Sequence, residues 1–441
     1  MTEVELNHDI PMSLDPVDVE QEETLIDEDT QKNYRVWKKN APFLYDYLST
    51  NSLLWPSLTV QFFPDSTTGT SSENSDKSED VYLQRLLHGT FSLGQSVDSI
   101  SILQVPIFSN LNSHIKINKL DYNAEKEEFE LATSSNNKLK VLQKINHLGD
   151  VNKVRYMPQK PNIIASANNL GDLVIYERTK HKSFKNSLID DTNLNKVQLR
   201  LKNKRQEANS DIFAIDWNKQ KEGTILSADM NGTINLFDIK DNYSKDSSVL
   251  YESWSYENNG IGINDIEWVP NHDSIFCSVD DKGYTSVFDT RISNALVSNN
   301  HSSDIGVNSI SINPGITTCI ATGDSKGSIF ISDIRNFGHS DASPIYSIEN
   351  QHKDSITQIK WHPKYHNVLG SSSTDHSVKL FDLAVENSDS SLLFIHAGHM
   401  LGVNDFDWSH HDDWLISSVA DDNSLHLWKP THKITNRFDT I

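Results

Sequence analysis

Two anchor residues, mostly aromatic and always twenty positions apart, recur six times along this chain. The pairs are Tyr156 and Tyr176, Trp217 and Phe237, Trp268 and Phe288, Ile312 and Ser332, Trp361 and Phe381, and Trp408 and Trp428. Each anchor ends a short segment in which apolar and polar residues alternate, the period of a β-strand. Between the anchors lie tight-turn sequences carrying an acid: SADMNG (Asp229), SVDDKG (Asp280), TGDSKG (Asp324), STDHS (Asp375) and ADDNS (Asp422). Asp-Gly and Asn-Gly type pairs suit the short connections of antiparallel strands. One such unit cannot bury its own apolar faces, so neighbouring units must stack on one another.

The repeats share further marks. A histidine precedes the turn acid by 23 residues in three of them: His301 and Asp324, His352 and Asp375, His399 and Asp422. An aspartate follows the second anchor at Asp238, Asp289, Asp333 and Asp382, with Glu177 and Lys429 in the outer two repeats. This pattern resembles the WD40 repeat, in which each unit is a four-stranded blade and the blades close into a propeller without open sheet edges. Residues 57–145 fit one further, degenerate blade, because LTVQFFP (58–64) matches VNKVRYMP (151–158). The expected fold is therefore all-β, a seven-bladed WD40 β-propeller over 55–430 with an N-terminal α-helix. Blade 1 covers about 57–145 and blades 2–7 about 147–430.

A His/Asp pair repeated blade after blade reads as a buried hydrogen-bond device rather than a hydrolytic or metal site. Asp241, Asp246 and Glu252 lack the twelve-residue calcium-loop spacing. No nucleophile elbow, P-loop, H-E-x-x-H or kinase motif occurs. No catalytic residue, metal or cofactor is expected, and the chain does not read as an enzyme.

Composition narrows the partners. Asp+Glu 61 against Lys+Arg 39 leaves a net charge of −22, which argues against direct DNA binding and suits a protein that receives cationic partners. No run of about 18 apolar residues is present, so a membrane is excluded as a partner. Cys277 and Cys319 cannot build a disulfide framework, which points to a reducing compartment. Residues 1–30 hold eleven acids and neither Lys nor Arg, so 1–29 reads as a disordered acidic tail and not as a signal peptide. Tyr34, Trp37, Ala41, Leu44, Tyr45 and Leu48 form a helical stripe, and a helix is expected over 30–49 with Thr30 as N-cap. Pro42 predicts a kink or break near Asn40–Ala41. Residues 66–80 read as a surface loop. The segment 178–207, with nine basic residues against three acids, reads as a solvated basic insertion, with an acidic subunit or DNA as the alternative. Residues 431–441 read as a C-terminal tail.

Beyond the repeats, YRVWKKNAPFLYDYLSTNSLLWPSLTVQFFPD (34–65), INHLGDVNKVRYMPQKPNIIA (145–165) and LLFIHAGHMLGVNDFDW (392–408) resemble the retinoblastoma-binding histone chaperones. These are seven-bladed WD40 proteins shared by chromatin assembly, acetyltransferase and deacetylase complexes. The wording is most similar to the fungal chromatin-assembly branch, with the acetyltransferase-associated branch as competitor. The resemblance implies a nuclear, non-enzymatic subunit that binds histones H3 and H4 beside the larger subunits of chromatin assembly factor 1 or a related complex. In that role it would deliver histones for replication-coupled nucleosome assembly. A generic WD40 adaptor scaffold is the alternative from another class.

The resemblance also implies two sites. The first helix of histone H4 would lie in a side groove, with Phe43 and Leu44 from the N-terminal helix, Phe394 and Ile395 from the sixth blade, and Ile434 after the last blade. Ordinary packing of the helix on the propeller is the competing reading of these five. The family's sixth-blade loop is long and acidic, whereas AVENSDSSLL (384–393) is short and keeps only Glu386 and Asp389 as rim acids. The basic N-terminus of histone H3 would meet the narrow face, where Glu128, Asp211, Phe213 and Asp421 fall at matching positions. Asn264, Ser355 and Thr357 stand where relatives place two acids and an aromatic, so weaker H3 binding is expected.

Overall fold

The computed structural model describes residues 28–68, 81–108, 121–123, 128–130, 139–183, 194–204, 210–240, 248–300, 304–339, 342–385 and 391–438. Residues 1–27, most of the 66–80 loop, parts of 178–207, His301, Glu386 and Asp389 lie outside the described residues. The chain forms seven blades, as the repeats predict. Their inner strands are Val60–Thr68, Val151–Met157, Ile212–Trp217, Ile263–Trp268, Val307–Ile312, Ile356–Trp361 and Val403–Trp408. Blade 2 gains a fifth strand, Ser248–Tyr251, which leaves the blade 3 connection and pairs parallel to Leu199–Lys202.

The register explains the twenty-residue spacing. Trp217 pairs with Ile225, and Ile225 with Phe237; Trp268, Phe276 and Phe288 make the same rung in blade 4, and Trp408, Ile416 and Trp428 in blade 7. Both anchors of a repeat are thus one rung, two hairpin turns apart. The turn acids close those hairpins. Asp229 accepts from the Asn231 and Thr233 amides, Asp280 from Lys282 and Tyr284, and Asp324 from Lys326 and Ser328.

Seven inner strands expose backbone edges toward the axis, and side chains of the preceding blade satisfy them. Asp216 accepts from the Trp268 amide at 2.8 Å, Glu267 from Ile312 at 2.7 Å, and Asp407 from Phe62 at 2.8 Å. The anchor indoles bind blades in the same direction: Trp217 donates to the Arg155 carbonyl, Trp268 to Asp216 and Trp361 to Ser311. A second ring runs at the inner-strand starts. Asn152 donates to the Ile212 carbonyl, Asn264 to Val307, Asn308 to Ile356, Thr357 to Val403 and Asn404 to Ser57.

The ends differ from the sequence expectation. Helix α1 spans Glu28–Leu44, passes Asn40–Ala41 unbroken and ends two residues after Pro42. The last residues of the expected 30–49 helix form instead a strand, β1 (Tyr45–Ser52), which pairs antiparallel with Ser424–Pro430 and closes blade 7. Its register runs from Tyr45 opposite Pro430 to Ser52 opposite Ser424. Those ladder bonds outweigh a helical continuation that the proline has already weakened. The expected C-terminal tail is folded in part: α2 (His432–Thr435) and a following turn bury Phe438.

Candidate functional site

Helix α1 lies across the seam of blades 6 and 7 because its Trp37 and Ala41 enter the apolar cluster of Leu380, Phe394, Phe406, Trp408, Trp428 and Phe438. Trp37 comes so close to Gly398 that a Cβ there would sit 2.5 Å from the indole. The Leu44 carbonyl accepts from the Thr431 amide at 2.9 Å, and Asp46 accepts from the His432 amide at 2.7 Å. Arg437 pairs with Asp382. The helix, the closing strand and α2 are therefore fixed to one another.

Five of the expected groove residues divide into buried, half-buried and exposed. Phe394 is buried, edge-on to Tyr45 and stacked on Trp428, and so belongs to the core. Leu44 and Ile434 are half-buried against the same cluster. Phe43, 57% exposed, and Ile395, 40% exposed, are the open apolar groups. Val36, also exposed, precedes Phe43 by seven residues and so shares its face of α1. Its sequence signal was that heptad spacing. Asp389, the expected rim acid, lies outside the described residues.

Under α1 runs a polar relay. Trp37 Nε1 donates to the Tyr45 hydroxyl at 2.8 Å, which bonds His396 Nδ1 at 2.7 Å, and His396 Nε2 meets His426 Nδ1 at 3.0 Å. Beside it, His399 bonds Ser424 and Ser418, both at 2.7 Å. In blade 6 the expected device is direct, with His352 Nδ1 2.9 Å from Asp375. In blade 7 Asp422 turns instead to the Met400 amide and to Ser424. The donor atoms of His396, His399 and His426 lie within 4.8 Å of one another. Five of their six ring nitrogens are engaged in hydrogen bonds.

Asp211, Phe213 and Asp421, the residues expected on the narrow face, sit at turns and inner-strand starts. The Asp211 carbonyl accepts from the Met230 amide, and its half-exposed carboxyl is raised by burial and by nearby Asp150. Phe213 occupies the place that Asn or Thr holds in five other inner strands, which leaves an apolar gap in the asparagine ring. Asp421 is exposed and accepts from Asn404 at 2.7 Å. Glu128 lies in the strand Glu128–Glu130, paired with Asp121–Asn123 and running beside α1. Asn264 and Thr357, expected as lost ligands, are blade-to-blade staples. Asn264 also bonds exposed Asp281 at 2.9 Å, an acid not among the residues expected from the sequence. Near it lies Met230, 36% exposed.

A family model that describes the histone-binding protein RBBP4 and its counterpart in the CAF1 complex matches residues 32–109. The chain is 35% identical over 433 residues to a Saccharomyces cerevisiae protein named "Histone-binding protein MSI1", covering 94% of this chain and 97% of that one. The chain belongs to this RBBP4/MSI1 family. A further relative, at 28% identity over 414 residues and 90% of each chain, is the "Histone acetyltransferase type B subunit 2" of Debaryomyces hansenii. The WD domain, G-beta repeat model matches 335–382 and 390–429. The RBBP4-type match thus takes in α1 from Lys32 onward, β1 and most of blade 1. The second WD match holds Phe394 and Ile395, so both walls of the seam fall in matched sequence.

Proposed function

We propose that the chain is a non-catalytic, nuclear subunit of a chromatin assembly complex that binds histones H3 and H4 and presents them for replication-coupled nucleosome assembly. One observation carries this reading: Phe43 on α1 and Ile395 on the outer strand of blade 6 stand exposed, while Leu44, Phe394 and Ile434 pack into the cluster that seats α1. Apolar groups lining a fixed helix-side groove accept an amphipathic helix through anchors at helical spacing. The first helix of histone H4 has that form, and the net charge of −22 favours the approach of so basic a partner. On the narrow face, Asp211, Asp421 and Asp281 supply carboxylates for the basic H3 N-terminus, with Phe213 as an apolar contact.

The name of the second relative supports another setting, the same groove inside an acetyltransferase complex. Affinity purification of the chain followed by mass spectrometry separates the two. Co-elution of large chromatin-assembly subunits supports the first, and an acetyltransferase subunit the second. Recovery of neither histones nor chromatin subunits would leave a generic adaptor. The groove is tested by Ile395→Asp, which should abolish binding of an H4 first-helix peptide. Its exposed position leaves the melting temperature nearly unchanged. Normal H4 binding by that variant would place the groove elsewhere.

A further inference from the structure

We propose that Tyr45, His396 and His426 are positioning residues that hold helix α1 against the strand carrying Ile395, and that they loosen this helix as pH falls below neutrality. The inference rests on the groove reading for its function but not for its physical test. None of the three lines the groove; they lie beneath it, and both His396 and His426 are buried.

Donor logic fixes the protons. An indole N–H can only donate, so Tyr45 accepts from Trp37 and passes its own hydrogen to His396 Nδ1. His396 then carries its proton on Nε2 and donates to His426 Nδ1. In the neighbouring ring, Ser424 donates to Asp422, so His399 Nδ1 donates to Ser424, and His399 Nε2 accepts from Ser418. The acceptor nitrogens facing the relay are all occupied. A proton added to His426 Nδ1 would confront the His396 N–H at 3.0 Å. One added to His396 Nδ1 would leave the Tyr45 hydroxyl hydrogen without its acceptor.

Among the described residues, these groups face the relay. Strand β1 brings Tyr45, the segment before the Val403–Trp408 strand brings His399, and the turn before Ser424–Pro430 brings Asp422. Helix α1 brings Trp37 and Ala41, while Phe394 and Trp428 are apolar. Burial, then the neighbouring imidazoles, hold His396 and His426 well below the ordinary imidazole value, against a smaller upward pull on His426 from Asp422. A depressed histidine favours the docked state above about pH 6.5, the value of an exposed imidazole, and loses that advantage as pH falls from there toward the docked-state value. Undocking α1 and Tyr45 opens the relay to water and lets it take up a proton.

The test is hydrogen exchange of the α1 amides in the full chain between pH 8 and pH 5, corrected for intrinsic rates, alongside His426→Gln and the double variant His396→Asn/His426→Gln. In the wild type, α1 protection should be level above pH 7. Below about 6.5 it should fall by up to about tenfold per pH unit for each proton taken up. Gln at 426 keeps an acceptor for His396, so the fall should become shallower with α1 still docked at pH 7.5. In the double variant it should vanish. Equal wild-type protection at pH 7.5 and 5.5, or an undiminished slope in the double variant, overturns the proposal. A variant that fails to dock α1 at pH 7.5 is replaced by Tyr45→Phe, which must lose protection at every pH for the relay to stand. Titration of an H4 first-helix peptide at the same pH values reads the function separately. If α1 loosens and H4 affinity does not follow, the relay stands and the groove reading fails.

Discussion

Phe43 offers the sharpest measurement of whether α1 is one wall of a binding groove. Its side chain is 57% exposed, and a buried phenylalanine covers roughly 200 Å². About 110 Å² is therefore open for a partner to cover. At about 25 cal/mol per Å², complete coverage contributes nearly 3 kcal/mol, and half coverage about 1.5 kcal/mol. Phe43→Ala should thus weaken an H4 first-helix peptide by about 10- to 100-fold in a calorimetric titration. The same variant should melt within a degree or two of the wild type, because an exposed residue contributes little to folding. Leu44, which the sequence ranks with Phe43, is a poorer probe: it is half-buried against the seam cluster, so its replacement mixes folding with binding. Adding salt should leave the Phe43 effect unchanged, since apolar coverage is not screened. An unchanged dissociation constant for Phe43→Ala, with the fold intact, would refute the reasoning.

Gly398→Ala should lift α1, because the new methyl would meet the Trp37 indole at 2.5 Å; about 1–3 kcal/mol of strain should appear as lost α1 protection in hydrogen exchange and weaker H4 binding. Glu267 is pushed up to about 8 by burial and by neighbouring Asp216. Wild-type stability is therefore lost as pH rises from about 4.5, where the unfolded chain ionises, toward 8. Glu267→Gln, whose amide oxygen can still accept from Ile312, should melt higher than wild type by a margin that grows from pH 5 to pH 8, reaching about 1–3 kcal/mol. For the narrow face, an H3 N-terminal peptide should bind more weakly than the H4 helix and lose affinity steeply with salt. Exposed Asp281 sets the floor, so Asp281→Asn should lower H3 binding without touching H4, as paired calorimetric titrations would show.

The propeller was legible because its evidence is a spacing. A rung of three strands joined by two tight turns returns to the same level after twenty residues, whatever occupies the intervening positions. Segment 45–52 was not legible, because Leu44, Tyr45 and Leu48 satisfy a helical stripe while Tyr45 and Tyr47 equally satisfy a strand. Pairing with Ser424–Pro430, nearly 380 residues away in sequence, decides between them, and no local pattern reports it. The residues expected to line a groove were named but not sorted into buried and exposed. Alternation in LLFIH places Phe394 and His396 inward and Ile395 outward, a distinction present in the sequence once the segment is taken as a strand. Asp281 escaped for a different reason. In SVDDKG the first aspartate caps the turn and the second points outward, and a repeat-based reading counts only the first.

The position of the proposed groove follows from how the ring closes. Leu44 ends α1 and Tyr45 begins β1, so the helix beside the proposed groove runs directly into the strand that completes blade 7. Asp46 on β1 holds the start of α2, and α2 carries Ile434. Tyr45 reaches down to His396, whose strand carries Ile395. Each apolar group of the seam is thereby tied to a single closing strand, and a shift of β1 along Ser424–Pro430 would move all of them together. An extended strand has period two, so even a one-residue slip would turn Tyr45 and Tyr47 away from the core. The proposed groove would therefore take its geometry from the closure of the propeller, and α1 can be rigid there although only Trp37 and Ala41 of its seventeen residues are buried.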